Sequence, residues 1–155
     1  MPSFSKNINI ISRCAHAYRS ASLEESGLGA SHYFYILLIC AHPGMSQEQI
    51  AKHLYLNKSS VTRAIAALEE NGFAERRASE EDKRVTMVYP TQKAEDILPE
   101  VRASAHAWNS FLLEELDEAE RVAFLETLEK VTARAKSYID LELTPKELQK
   151  NETTD

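Results

Sequence analysis

Apolar residues recur along the N-terminal segment at spacings of three and four. Ile8, Ile11, Ala15 and Tyr18 fall on one side of an amphipathic helix. The next segment, SHYFYILLICAH, is apolar on nearly every side, which predicts a buried central helix ending at the turn signal Pro43-Gly44. Ser46, with Gln49 three residues on, makes a capping box ahead of the apolar positions Ile50, Ala51 and Leu54. Asn57 is a good N-cap for a further helix carrying Val61, Ile65 and Leu68 on one stripe. Gly72 is its natural stop.

After Gly72 the period changes. FAERRAS and RVTMVYP are short, partly alternating runs rich in β-branched and aromatic residues, separated by the charged tip EEDK, and together predict a β-hairpin. Thr91 is expected to cap a long helix through Ile97, Val101, Ala105, Trp108 and Leu112, which Pro99 either bends or begins. Asp117 with Glu120 marks another cap. Leu125, Leu128, Thr132, Ala135 and Ile139 follow it on one heptad-like face. Beyond Pro145 the tail KELQKNETTD is polar and expected to fray.

The helix beginning at Lys58 has two faces. Its apolar stripe faces a core, while Ser59, Ser60, Thr62 and Arg63 crowd the first turn and a half on other sides. Coming after a capped helix and the turn YLNK, it completes a helix-turn-helix, in which the start of the second helix enters the DNA major groove. Hydroxyls and a helix N-terminus bind phosphate, and an arginine offers two donors to a guanine edge. The hairpin adds Arg76, Arg77, Lys83 and Arg84, bases suited to a phosphate backbone or a minor groove. The plain alternatives are a capped surface helix and a solvated turn.

Charge alters the picture only in its distribution. The net charge of −6 comes from the segment beginning at Phe111, with twelve acids and six bases; Ser46 to Pro90 carries seven of each. A neutral middle is compatible with a local DNA-binding patch. The chain's 155 residues suffice for one domain with a real core. No apolar run is long enough to span a bilayer and no secretory signal is evident, so a cytoplasmic protein with no membrane partner is expected.

MSQEQIAKHLYLNKSSVTRAIAALEENGFAERRASEEDKRVTMVYPT resembles the winged helix-turn-helix core of the MarR family of transcriptional regulators. The resemblance rests on Ile50-Ala51, Leu54, Ser60-Val61-Thr62-Arg63, Leu68-Glu69, Gly72, Arg76 and Asp82-Lys83-Arg84, and continues through LPEVRASAHAWNSFLLEELDEAERVAFLETLEKV. It implies a mainly α fold with a small β-hairpin wing, the winged domain being flanked by N- and C-terminal dimerisation helices. The organisation expected from it is a single MarR-like domain over 1–155. Within this, 5–30 form a dimerisation helix and linker, 31–92 the winged helix-turn-helix, 93–145 the C-terminal dimerisation helices and 146–155 a polar tail. It implies a homodimer on a pseudo-palindromic double-stranded DNA operator, repressing genes until a small aromatic or phenolic ligand binds.

The expected DNA-binding set is Lys58, Ser59, Ser60, Thr62, Arg63, Arg76, Arg77, Asp82, Lys83 and Arg84, with Asp82 the acid that holds the wing arginine Arg84. Two departures are visible, both at the hairpin exit. The family often has Leu-Thr-x-x-Gly at the hairpin exit, and this chain has Pro90-Thr91-Gln92-Lys93-Ala94.

By the same resemblance, His16, Arg19, Tyr33 and Tyr35 are the candidate ligand-pocket residues, although a His or Tyr on a buried helix is commonly just packed. Cys14, near Arg13 and His16, is a candidate oxidant sensor, and Cys40 reads as a core residue. The five histidines are scattered without metal-ligand spacing, so no metal and no cofactor are expected. With no phosphate loop and no nucleophile elbow, no catalytic residues and no enzyme are expected either. The rival readings are an oxidant-sensing regulator and a winged-helix module for protein contact.

Overall fold

The computed structural model describes residues 3–145 and Leu148. It divides into two units, one through Phe111 and one from Leu112 onward. The first contains helix α1 (Phe4–Ser22), α2 (Tyr33–Ala41), strand β1 (Met45–Ser46), α3 (Gln47–Leu54), α4 (Lys58–Glu70), strands β2 (Ala74–Ala78) and β3 (Thr86–Pro90), and most of α5 (Gln92–Leu113). The second contains α6 (Glu118–Asp140). No described helix is long and apolar enough to cross a membrane.

Local chemistry sets the helix boundaries. The Gln49 N–H donates to Ser46 Oγ (3.1 Å) and the Ser46 N–H to Gln49 Oε1 (2.7 Å), the reciprocal box that starts α3. α3 ends with Tyr55 in the left-handed region (φ 54°), which lets the Leu56 N–H reach the Ala51 carbonyl at 2.9 Å. Asn57 Oδ1 then accepts from the Ser60 N–H at 2.8 Å and starts α4 after a turn of three residues. Gly72, at φ 76°, takes the backbone out of α4, and Lys93 Nζ donates to the Asn71 carbonyl at 2.9 Å beside that helix end. Asp117 and Glu120 form a second capping box, for α6.

The core of the first unit lies under α2, α3 and α4. Ile36, Ile39, Ile50, Val61, Ile65, Leu68, Val88 and Val101 are fully buried in one cluster with Phe73. α2 is apolar all round because it runs through this cluster, burying Tyr33, Tyr35, Ile36, Leu38 and Ile39. α1 meets α5 through Tyr18 stacked on Trp108 (centroids 5.1 Å apart) and through Ser22 Oγ donating to Ser104 Oγ at 2.9 Å.

The sheet has one strand more than the hairpin expected from sequence. Its order is β1-β3-β2, antiparallel throughout, with Met45 opposite Val88 and Arg76 also opposite Val88 on the other side. β1 is two residues long, too short to carry an alternation. It is reached through Gly44 at φ 80°, where a Cβ would sit 3.1 Å from the Tyr89 ring. The wing loop is also wider than the EEDK tip. Ser79, Arg84 and Val85 lie outside the strands, because Ser79 Oγ accepts from the Glu81 and Asp82 N–H groups and Asp82 takes the Arg84 N–H. Thr91 Oγ1 accepts from the Ala94 N–H at 3.4 Å at the start of α5, so the unusual hairpin exit still caps the helix. Pro99 lies inside α5 rather than in its first turn.

α6 has no buried residue, and Val122, Phe124, Leu125, Val131 and Ile139 are among its exposed apolar side chains. α1 likewise exposes Phe4, Ile8, Ile10 and Ile11. The expected tail, 146–155, lies outside the described residues except for Leu148.

Candidate nucleic-acid interface

The candidate interface comprises the start of α4 and the wing. Val61, Ile65 and Leu68 fix α4 by complete burial, which leaves Lys58, Ser59, Thr62 and Arg63 exposed and Ser60 half-buried on its first turns. Thr62 Oγ1 donates to the Lys58 carbonyl at 2.9 Å, and Gln47 Oε1 of α3 lies 3.4 Å from the same hydroxyl. Arg63 Nη2 sits 3.5 Å from Ser60 Oγ, a contact long enough to yield to a better acceptor.

On the wing, Asp82 holds Arg84 with both carboxylate oxygens. Arg84 Nε donates to Oδ1 and Nη2 to Oδ2, each at 3.0 Å, while the Arg84 backbone N–H donates to Oδ1 at 3.0 Å. These bonds hold the Asp82 carboxyl below the usual aspartate range and raise the Arg84 guanidinium above its ordinary value. The Arg84 side chain itself stays 91 % exposed, so it is oriented yet open to a partner.

Arg76 and Arg77 are placed differently from Arg84. Arg76 donates through its backbone N–H and side chain to the Glu69 carboxylate (Nε–Oε2 2.9 Å), tying β2 to the end of α4 and keeping the Glu69 carboxyl below its usual range. Arg77 pairs with Glu75 and lies 4.5 Å from the centroid of the Tyr89 ring. Lys83 is exposed on the wing loop. Sequence reasoning missed Glu69 and Glu75 as partners, and Gln47 and Glu48 beside α4; Glu48 Oε1 lies 3.2 Å from Lys58 Nζ. Only the pairing at position 75 is local enough to be read from spacing.

The candidate ligand residues separate. The Arg19 guanidinium carbon lies 5.3 Å from the ring centroids of both Tyr33 and Phe34, and its Nε is buried without a partner. His16 is exposed on α1, one turn before Arg19. Tyr35 faces a different space, a groove of about 510 Å³ that it shares with Ser31, His32, Phe34, Leu56, Ser60, Arg63 and Ala64. Burial raises the Tyr33 and Tyr35 hydroxyl pKa values and lowers that of His32, favouring the neutral forms. Cys14 is exposed, and Cys40 is half-buried with its thiol pushed up by burial. Among the described residues no three His, Cys, Asp or Glu side chains gather as a metal site.

Residues 28–86 match the sequence model of the MarR family. The uncharacterized HTH-type transcriptional regulator YwoH of Bacillus subtilis (strain 168) is 31 % identical over 117 residues, 76 % of this chain and 85 % of that protein. The HTH-type transcriptional regulator BilQ of Clostridium symbiosum (strain WAL-14163) is 25 % identical over 119 residues, 77 % of this chain and 83 % of BilQ. In fold, the chain matches a MarR family transcriptional regulator from Listeria monocytogenes, solved complexed with 26mer DNA. The TM-score is 0.83 at 23 % identity, covering 93 % of this chain and 98 % of that one. This chain belongs to the MarR family, a family of transcriptional regulators and not of enzymes.

Proposed function

We propose that the protein is a homodimeric repressor that binds a pseudo-palindromic double-stranded operator and releases it when a small aromatic ligand binds. The observation that carries the DNA reading is the division of α4. One stripe is fully buried, while Ser59, Thr62 and Arg63 stand exposed at its start. A major groove admits such a helix, and Arg63 supplies a bidentate donor for guanine. Arg84, oriented by Asp82, serves the wing contact, and the Listeria relative complexed with DNA supports the same use of the fold.

Dimerisation is supported by the uncovered apolar side chains of α1 and α6, which a second copy would bury. We assign 5–30 and 93–145 to that role and 31–92 to the winged domain. Ligand release is supported by the groove beside α4. Its Phe34, Tyr35 and His32 walls suit an aromatic ring, and a carboxylate on that ring would engage Arg63 and withdraw it from DNA.

The test is selection of tight-binding duplexes from a random pool, followed by footprinting. Two inverted half-sites, centred about one helical turn or a multiple of it apart, support the reading. Recovery of no common sequence contradicts it.

A further inference from the structure

Four of the cations expected at the DNA face have a carboxylate beside them, but one pair differs in kind. Asp82 grips Arg84 with three hydrogen bonds, and Glu69 grips Arg76 with three. Arg77 and Glu75 share one strand, with the guanidinium over the Tyr89 ring. Glu48 and Lys58 instead touch once, at 3.2 Å between neighbouring helices, with side chains 75 % and 70 % exposed. Together with Arg84, Ser46, Gln47, Val85 and Thr86 they line a groove of about 180 Å³ between the first turn of α3 and the base of the wing. On the DNA reading proposed above, a duplex that received α4 in one groove and the wing in the next would lay its phosphate backbone across this span.

We infer that Glu48 is an electrostatic brake on DNA binding: in the free protein it occupies Lys58, and it must give that ammonium up for a phosphate. A single exposed contact exchanges readily and does not orient a flexible lysine, so it cannot do for Lys58 what Asp82 does for Arg84. The effect falls on the sequence-independent part of affinity, which sets how much protein is lost to the excess of non-cognate DNA. This inference rests on the DNA reading proposed above.

The test measures binding of full-length wild type, Glu48→Gln, Lys58→Gln and the double variant to a selected and an unrelated duplex across a salt series. Glu25→Gln, which removes the same charge outside the groove, is the control. Glu48→Gln is expected to tighten binding to both duplexes and to steepen the salt slope by about 0.9. That slope change corresponds to about a 3.5-fold larger affinity loss between 50 and 200 mM salt. The gain should vanish when Lys58→Gln is added, and Glu25→Gln should give none.

Weaker binding by Glu48→Gln would mean that Glu48 orients Lys58, and would overturn the inference, as would an unchanged slope or a gain that survives Lys58→Gln. Wild type that binds neither duplex would instead overturn the DNA reading itself.

Discussion

On the proposed reading Arg63 and Arg84 carry different parts of recognition, and their surroundings predict different losses. Arg63 has only a 3.5 Å contact to Ser60 to give up, so Arg63→Ala should cost about 1–3 kcal/mol of binding and relax base choice at one operator position. A set of duplexes varied one base pair at a time measures both. Arg84→Ala should weaken binding to cognate and unrelated duplexes alike and flatten the salt slope by about 1; an unchanged slope would remove Arg84 from the phosphate contacts. The Asp82 bond adds a pH dependence. Because the folded carboxyl titrates below its ordinary value, the ordering it gives the wing is present above the usual aspartate range. It is lost as pH falls through the depressed value. NMR titration should place the Asp82 midpoint below that of a free aspartate, and Arg84→Ala should raise it toward that value, the backbone N–H bond from position 84 remaining.

At the scale of elements, helix boundaries were legible because each depends on residues three apart. Ser46 with Gln49, Asn57 with Ser60, and Asp117 with Glu120 all lie within one turn, and all cap as expected. Features that depend on tertiary pairing were not legible. β1 exists only because Met45 and Ser46 meet Val88 and Met87 far along the chain, and Glu69 meets Arg76 only because β2 folds back along α4. Pro99 was ambiguous, since its fixed φ suits a helix start as well as a helix that has lost one hydrogen bond; packing of Ala94 and Ile97 ahead of it puts it inside α5. The two supports of α4 are separable. Ile65→Ala, deep in the core, should destabilise folding by about 2–5 kcal/mol, and Asn57→Ala, which removes only a cap, by about 1 kcal/mol. Chemical denaturation of both variants checks the difference.

A single copy of the chain leaves apolar side chains of α1 and α6 uncovered. Phe124, at 45 % exposure, and Ile139, at 56 %, lie on a helix that buries none of its residues, and α1 leaves Phe4 60 % exposed. Of these three the sequence reading placed only Ile139 on a periodic apolar stripe, and periodicity could not show that the chain leaves such positions uncovered. Sedimentation should therefore give the mass of two chains, and Phe124→Glu with Ile139→Glu should shift the protein toward monomer while weakening operator binding. A wild-type monomer would contradict the dimer. The central claim, that the start of α4 reads DNA, is tested most directly by fluorescence anisotropy. The duplex is the DNA just upstream of the protein's own gene, with excess unrelated duplex present and salt varied. Saturable binding at two protomers per site, steeply weakened by salt and lost on Arg63→Ala, is the predicted result. Binding no tighter than to the unrelated duplex, and indifferent to Arg63, would contradict it.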